Sequence, residues 1–102
     1  MNTTLNKISD ALDFDLGCLE IIELQSDRCF WDVRSWPEDR VDRSIRRLLG
    51  AGSNVTLSGV IDDDYNRRRT FDIKVKPNFD VDFRVENNCR RFPVRAAVRF
   101  LA

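Results

Sequence analysis

The chain has 102 residues, 42% hydrophobic and 33% charged, with 17 basic residues against 17 acidic ones. That length suits a single domain over residues 1–102, and seven Phe and two Trp supply the apolar mass for one core, which argues against disorder. The balanced charge gives no overall field toward nucleic acid or a membrane surface, and no apolar run is long enough for a transmembrane helix.

The first element in chain order is a helix expected from about Thr4 to Phe14, capped by Thr3 or Thr4, with Leu5, Ile8 and Leu12 at helical spacing. Asp13 and Asp15 oppose the helix dipole and mark its end. Residues 17–36 then read as a β-hairpin around the polar turn Gln25–Arg28. Ser35-Trp36-Pro37-Glu38 has capping-box spacing and predicts a second helix with Val41, Ile45, Leu48 and Leu49 as its apolar stripe and Gly50 as its stop.

From Asn54 onward the hydrophobic period changes to two. Placing apolar residues opposite apolar residues sets a register for this meander. A loop Pro77–Phe79 puts Lys76 opposite Asp80, Lys74 opposite Asp82 and Asp72 opposite Arg84, and all three pairs are opposite in sign although charge was not used to align them. A loop Tyr65–Arg67 likewise puts Asp64 opposite Arg68 and Asp63 opposite Arg69. A last hairpin would pair Glu86 with Arg91 and Asp82 with Arg95, leading into a strand at 92–101 in preference to a helix. The fold class that follows is α+β: an N-terminal hairpin plus a four-stranded C-terminal antiparallel meander, with two helices on one face, in the order αββαββββ.

The chemistry of the chain is mostly defined by exclusion. There is no histidine, which removes the common triads, histidine acid–base catalysis and most zinc sites. Cys18, Cys29 and Cys89 are an odd number without metal-ligand spacing, in a chain whose N-terminus lacks a basic-then-apolar leader pattern. Free thiols in a reducing, cytoplasmic setting are expected, with the cysteines as small residues of core or sheet. Asp62-Asp63-Asp64-Tyr65-Asn66 starts like a calcium loop, but Arg67 stands where the turn glycine belongs and Ile73 where the bidentate glutamate belongs. Asp80 and Asp82 have basic cross-strand neighbours that keep them structural. No catalytic residue, cofactor or metal ligand is assigned, and the chain is not expected to be an enzyme.

Three surfaces remain. Arg40, Arg43 and Arg47 form a stripe opposite the apolar face of the second helix; Arg43 has Asp39 and Arg46 has Asp42 at i,i+4 spacing, which leaves Arg40 and Arg47 without a local partner. Tyr65 and Arg67 stand at a hairpin tip and are residue types enriched in interface hot spots. The first hairpin is apolar on both faces, with Ile22, Leu24, Trp31 and Val33 on one and Leu19, Ile21, Phe30 and Trp36 on the other; the second of these is a candidate docking surface. The expected function is a non-catalytic protein-binding module, such as a small bacterial or phage inhibitor, immunity or assembly protein, acting on a protein partner or a second copy of itself. The alternative is a nucleic-acid-binding module using the arginine stripe and the basic C-terminal segment, where residues 84–99 hold five arginines against Glu86.

Overall fold

A computed structural model of the chain describes residues 3–62 and 68–85. It contains α1 (Thr3–Leu12), a 3-10 turn (Leu16–Cys18), β1 (Glu20–Gln25), β2 (Phe30–Asp32), α2 (Glu38–Gly50), β3 (Val55–Asp62), β4 (Arg68–Val75) and β5 (Val81–Val85). The fold is α+β, as the alternation of periods implies. Its antiparallel strands are ordered β2-β1-β3-β4-β5, so the N-terminal hairpin and the meander form one sheet joined by the β1–β3 pairing. The segment expected as a last strand, 92–101, lies outside the described residues, as do the pairs Glu86–Arg91 and Asp82–Arg95.

Both helices cover one face of the sheet. The core joins Leu5, Ile8 and Leu12 of α1 and Val41, Ile45 and Leu49 of α2 to Leu24, Leu57, Phe71, Ile73 and Phe83 of the strands. Phe83 is its aromatic centre, tilted against Phe14 at 5.8 Å and edge-on to Phe71 at 6.2 Å between ring centroids. On the other face the strands carry polar residues, so this side of the sheet is solvated. Among the described residues no helix is long and apolar enough to cross a membrane.

The β4–β5 hairpin matches its expected register, with Lys74 opposite Asp82 and Asp72 opposite Arg84. The Asp72 carboxylate also accepts a hydrogen bond from the Ser58 hydroxyl on its other neighbour, at 2.7 Å. The loop Pro77–Phe79 closes with the Lys76 N–H donating to the Asp80 carbonyl at 3.0 Å. A three-residue hairpin of this kind needs a left-handed residue at its last position, normally glycine, and here Phe79 takes it with φ 63°. Its ring packs on the core and under the Lys7 ammonium, 5.2 Å from the ring centroid.

The β3–β4 register differs from expectation by two residues. Arg68 lies opposite Asp62 and Arg69 opposite Ile61, where a three-residue loop would have placed Asp64 and Asp63. A shift of two preserves which face each side chain takes, so hydrophobic parity is blind to it. The observed register sets Phe71 opposite Gly59, where the missing side chain leaves room for the ring edge, 3.0 Å from where a Cβ would stand.

The helix ends also depart from expectation. Ser35 does not cap α2: the N-cap is Pro37, in extended conformation and without a side-chain cap bond, and its carbonyl accepts from the N–H of Arg40 and of Val41. Proline can stand there because its position needs no donor, and Glu38 and Asp39 in the first turn complement the helix dipole in place of a capping box. Gly50 remains helical and Gly52, at φ 84°, is the residue that turns the chain, with Gly52 N–H donating to Leu49 and Ser53 N–H to Leu48. The end of α1 is built the same way. Asp13 at φ 53° is its left-handed residue, and Phe14 N–H donates to the Ser9 carbonyl. At the start of α1 neither threonine is the cap seen: the Leu5 N–H donates to the Asp42 carboxylate of α2 at 2.7 Å.

Candidate functional site

The first hairpin decides where its apolar residues go. Ile21 lies opposite Gly59 and Glu23 opposite Ser58, so Ile22 is an extra residue, a β-bulge. Ile21 and Leu24 are three positions apart, which an unbroken strand would place on opposite faces. The bulge turns both toward the helices: Leu24 is fully buried, and Ile21 and Leu19 are half-buried against the core. It also separates Ile22 from Leu24, with which strict alternation had grouped it. The second apolar face is therefore not a continuous surface. Phe30, two-thirds exposed, stands on the solvated side of the sheet, away from Leu19 and Ile21.

Trp31 faces the helix side, paired with Leu24, but on the outermost of the described strands at this end of the sheet. There it meets α2. Trp31, Trp36, Leu48 and Ser44 line an open groove of about 430 Å³ together with Arg40, Arg43 and Arg47, so the arginine stripe forms one of its walls. Trp36 and Arg40 have local reasons for their places. Trp36 follows a turn in which its N–H donates to the Val33 carbonyl at 3.0 Å, and the adjoining Pro37 fixes the entry into α2. Arg40, four residues on, lays its guanidinium over the Trp36 ring, 3.9 Å from the centroid. Stacking of this kind leaves the N–H edge of the guanidinium free to bind an anion.

The three arginines are not equivalent. Arg43 is held by Asp39 through a 3.7 Å ion pair and a bond from its Nε to the Asp39 carbonyl. Arg40 makes the ring contact alone, and Arg47 has no hydrogen-bond or ion-pair partner among the described residues. Arg46 does not pair with Asp42, as its helical spacing had implied; its guanidinium reaches the Thr3 hydroxyl at 3.5 Å, while the Asp42 carboxylate is fully buried and accepts from the Leu5 N–H.

The turn between the two tryptophans is braced by a second pair. Arg34 binds the Asp32 carboxylate through Nη2 at 2.7 Å and Nε at 3.1 Å, and the Arg34 backbone N–H adds a bond to Oδ1 at 3.1 Å. These side-chain bonds, then the backbone bond, hold the Asp32 carboxyl below the ordinary carboxylate range and reciprocally raise Arg34. A depressed folded-state pKa contributes stability that is present above the unfolded value and is lost as pH falls through the folded one. In a carbon-detected NMR titration, the Asp32 carboxyl is expected to titrate below an ordinary aspartate, and Arg34→Gln to bring it back up. An unchanged midpoint in that variant would show that the pair does not hold in solution.

Of the residues singled out from sequence, Arg40 and Arg47 come together in the groove; Leu19, Ile21 and Phe30 lie elsewhere, and Tyr65 and Arg67 lie outside the described residues. Sequence reasoning grouped Trp36 with Leu19, Ile21 and Phe30 and put Trp31 on the other face of the hairpin, and it missed that both meet the arginine stripe. The i,i+4 spacing of Trp36 and Arg40 is a visible signal for one half of the groove. The approach of Trp31 is tertiary and has no local signature. Cys18 and Cys29 are exposed free thiols in turns, not parts of core or sheet, and Cys89 lies outside the described residues. Among the described residues, no group of three or more metal-ligating side chains is placed to hold a metal ion.

Compared with known protein families, with characterised proteins and with solved structures, the chain matches none.

Proposed function

We propose that this protein is a non-catalytic binding module that engages a partner protein through the groove between β2 and α2. The observation that carries this reading is the convergence of Trp31 and Trp36 with two arginines, Arg40 and Arg47, whose charge is not neutralised by an ion pair among the described residues. Tryptophan and arginine dominate protein–protein hot spots because each combines a large desolvated surface with directed donors. Among the described residues the groove joins polar and apolar side chains with no base beside the Ser44 hydroxyl, which favours binding over turnover. Inhibition, immunity and assembly are all ways in which such a surface would be used.

A nucleic-acid reading draws on the same arginines, since indole rings can stack bases. The rest of the surface does not support it: the solvated sheet face pairs Lys74 with Asp82 and Arg84 with Asp72, and the net charge is zero.

The test compares the immobilised protein with an Arg40→Glu/Arg47→Glu variant, each exposed to extract of the cells that make it. Both arginines are exposed, so the substitutions should change stability by no more than about 0.5 kcal/mol. The expected result is a protein retained by the natural chain at physiological salt and lost from the variant. Retention of nucleic acid instead, or retention insensitive to the two charges, would refute the reading.

A further inference from the structure

The groove adjoins a second feature, the outer edge of β2. Ser26 N–H donates to the Cys29 carbonyl, and Val33 N–H to the Ile22 carbonyl, both at 2.8 Å. In an antiparallel ladder such bonds recur at every second residue, so Cys29, Trp31 and Val33 turn their main chain toward β1. Phe30 and Asp32 turn theirs the other way, to the side on which the order of described strands ends. An edge with donors and acceptors facing outward is a template for one more strand. Trp31 belongs to both features: its backbone lies in this edge strand and its side chain lines the groove.

Resting on the binding reading above, we infer that the occupant is an extended acidic segment of the partner protein, added beside β2 with alternate side chains entering the groove. Charge complementarity selects the acid. Arg40 and Arg47 are seven residues apart on α2, about 10.5 Å along the helix at 1.5 Å per residue. In an extended segment the side chains at i, i+2 and i+4 share a face, and i to i+4 spans about 13 Å at roughly 3.3 Å per residue. The long arginine side chains cover the difference. The pattern that fits is acid-x-apolar-x-acid: two carboxylates for Arg40 and Arg47, and between them an apolar side chain seated against Trp31, Trp36 and Leu48. The intervening residues would face the side on which Phe30 is exposed.

The two tryptophans are the only ones in the chain and both line the groove, so tryptophan emission, excited selectively over Tyr65, reports on this site alone. The probe is a synthetic nine-residue peptide centred on Glu-Ser-Leu-Ser-Glu, titrated against the full chain. Saturable quenching or blue shift is expected, weakened at least about tenfold by Arg40→Gln/Arg47→Gln and by moving both glutamates one position onto the other face of the peptide. N-methylation of the peptide amides that would face β2 should weaken binding comparably, because it removes the strand's donors. Equal binding by the register-shifted and N-methylated peptides would overturn strand addition while leaving the groove as the binding site. Failure of every peptide, with a groove-dependent protein partner still captured, would overturn the acidic segment and leave the binding reading standing. A single-stranded oligonucleotide or inorganic phosphate that binds the groove more tightly than any peptide would overturn both.

Discussion

Replacing Gly59 by alanine is expected to cost more than about 4 kcal/mol, a loss reserved for changes the structure cannot absorb and most of the stability of a small domain. A Cβ built on Gly59 would stand 1.8 Å from the Glu20 carbonyl oxygen and 2.9 Å from its carbon, and both are backbone atoms. Rotamer changes cannot relieve that collision; β1 itself would have to move. The Glu20 carbonyl sits there because of the bulge at Ile22, and the bulge is what keeps Ile21 and Leu24 on one face. Undoing it would turn Ile21 or Leu24 to solvent and shift Trp31, which pairs with Leu24. Two other glycines make the comparison sharp. Gly52 has open space around it but a φ of 84°, so alanine there should cost about 1 kcal/mol through backbone strain. Gly50 is helical with nothing within 4 Å, so the same substitution should stabilise by about 0.5–1 kcal/mol. Denaturant unfolding of the three variants should rank them in that order, and a Gly59→Ala protein as stable as the Gly52→Ala one would show that β1 does not crowd β3 in this way.

How much of this was legible in the sequence depends on the kind of information each feature needs. The β4–β5 register was legible because parity and charge pairing agree and the loop is short: Lys74, Asp82, Asp72 and Arg84 all point to one alignment. The β3–β4 register was not, because shifts of two leave parity intact, and the observed one fits the Phe71 ring against a glycine on the facing strand. The apparent capping box at Ser35 had the right spacing, but spacing does not say where the chain turns, and Pro37 is the residue that enters the helix. For the candidate site, the arginine stripe was legible from helical periodicity and the tryptophans were not assigned to it. Alternation did put Trp31 on the helix side, but it did not show that β2 would end the order of described strands, beside the groove bounded by α2.

Asp42 was misread for a more instructive reason, and it carries the second large expected effect. Its spacing to Arg46 suggested a surface pair, yet Asp42, Ile45 and Leu49 stand at i, i+3 and i+7 and share one face. The carboxylate is fully buried, with Oδ1 accepting from Leu5 N–H at 2.7 Å and Oδ2 without a hydrogen-bond partner among the described residues. Leu5 is in the first turn of α1, where N–H groups have no intrahelical acceptor and the dipole favours a negative charge. The second helix thus caps the first through its core. Asp42→Leu, close to isosteric, would strand that buried N–H and should cost about 2–3 kcal/mol, lowering the melting temperature by on the order of 10 °C. Asp42→Asn keeps an acceptor for Leu5 and places an amide where the orphan oxygen was, so it should cost about 1 kcal/mol or less. Two effects oppose each other here, because burying a carboxylate with one unpartnered oxygen is itself costly. Hydrogen exchange separates them. If the bond to Leu5 dominates, the leucine variant loses protection at the first-turn amides of α1 and the asparagine variant retains it. If relief of the buried charge dominates, both variants melt at or above the natural chain, and Asp42 would be no cap at all.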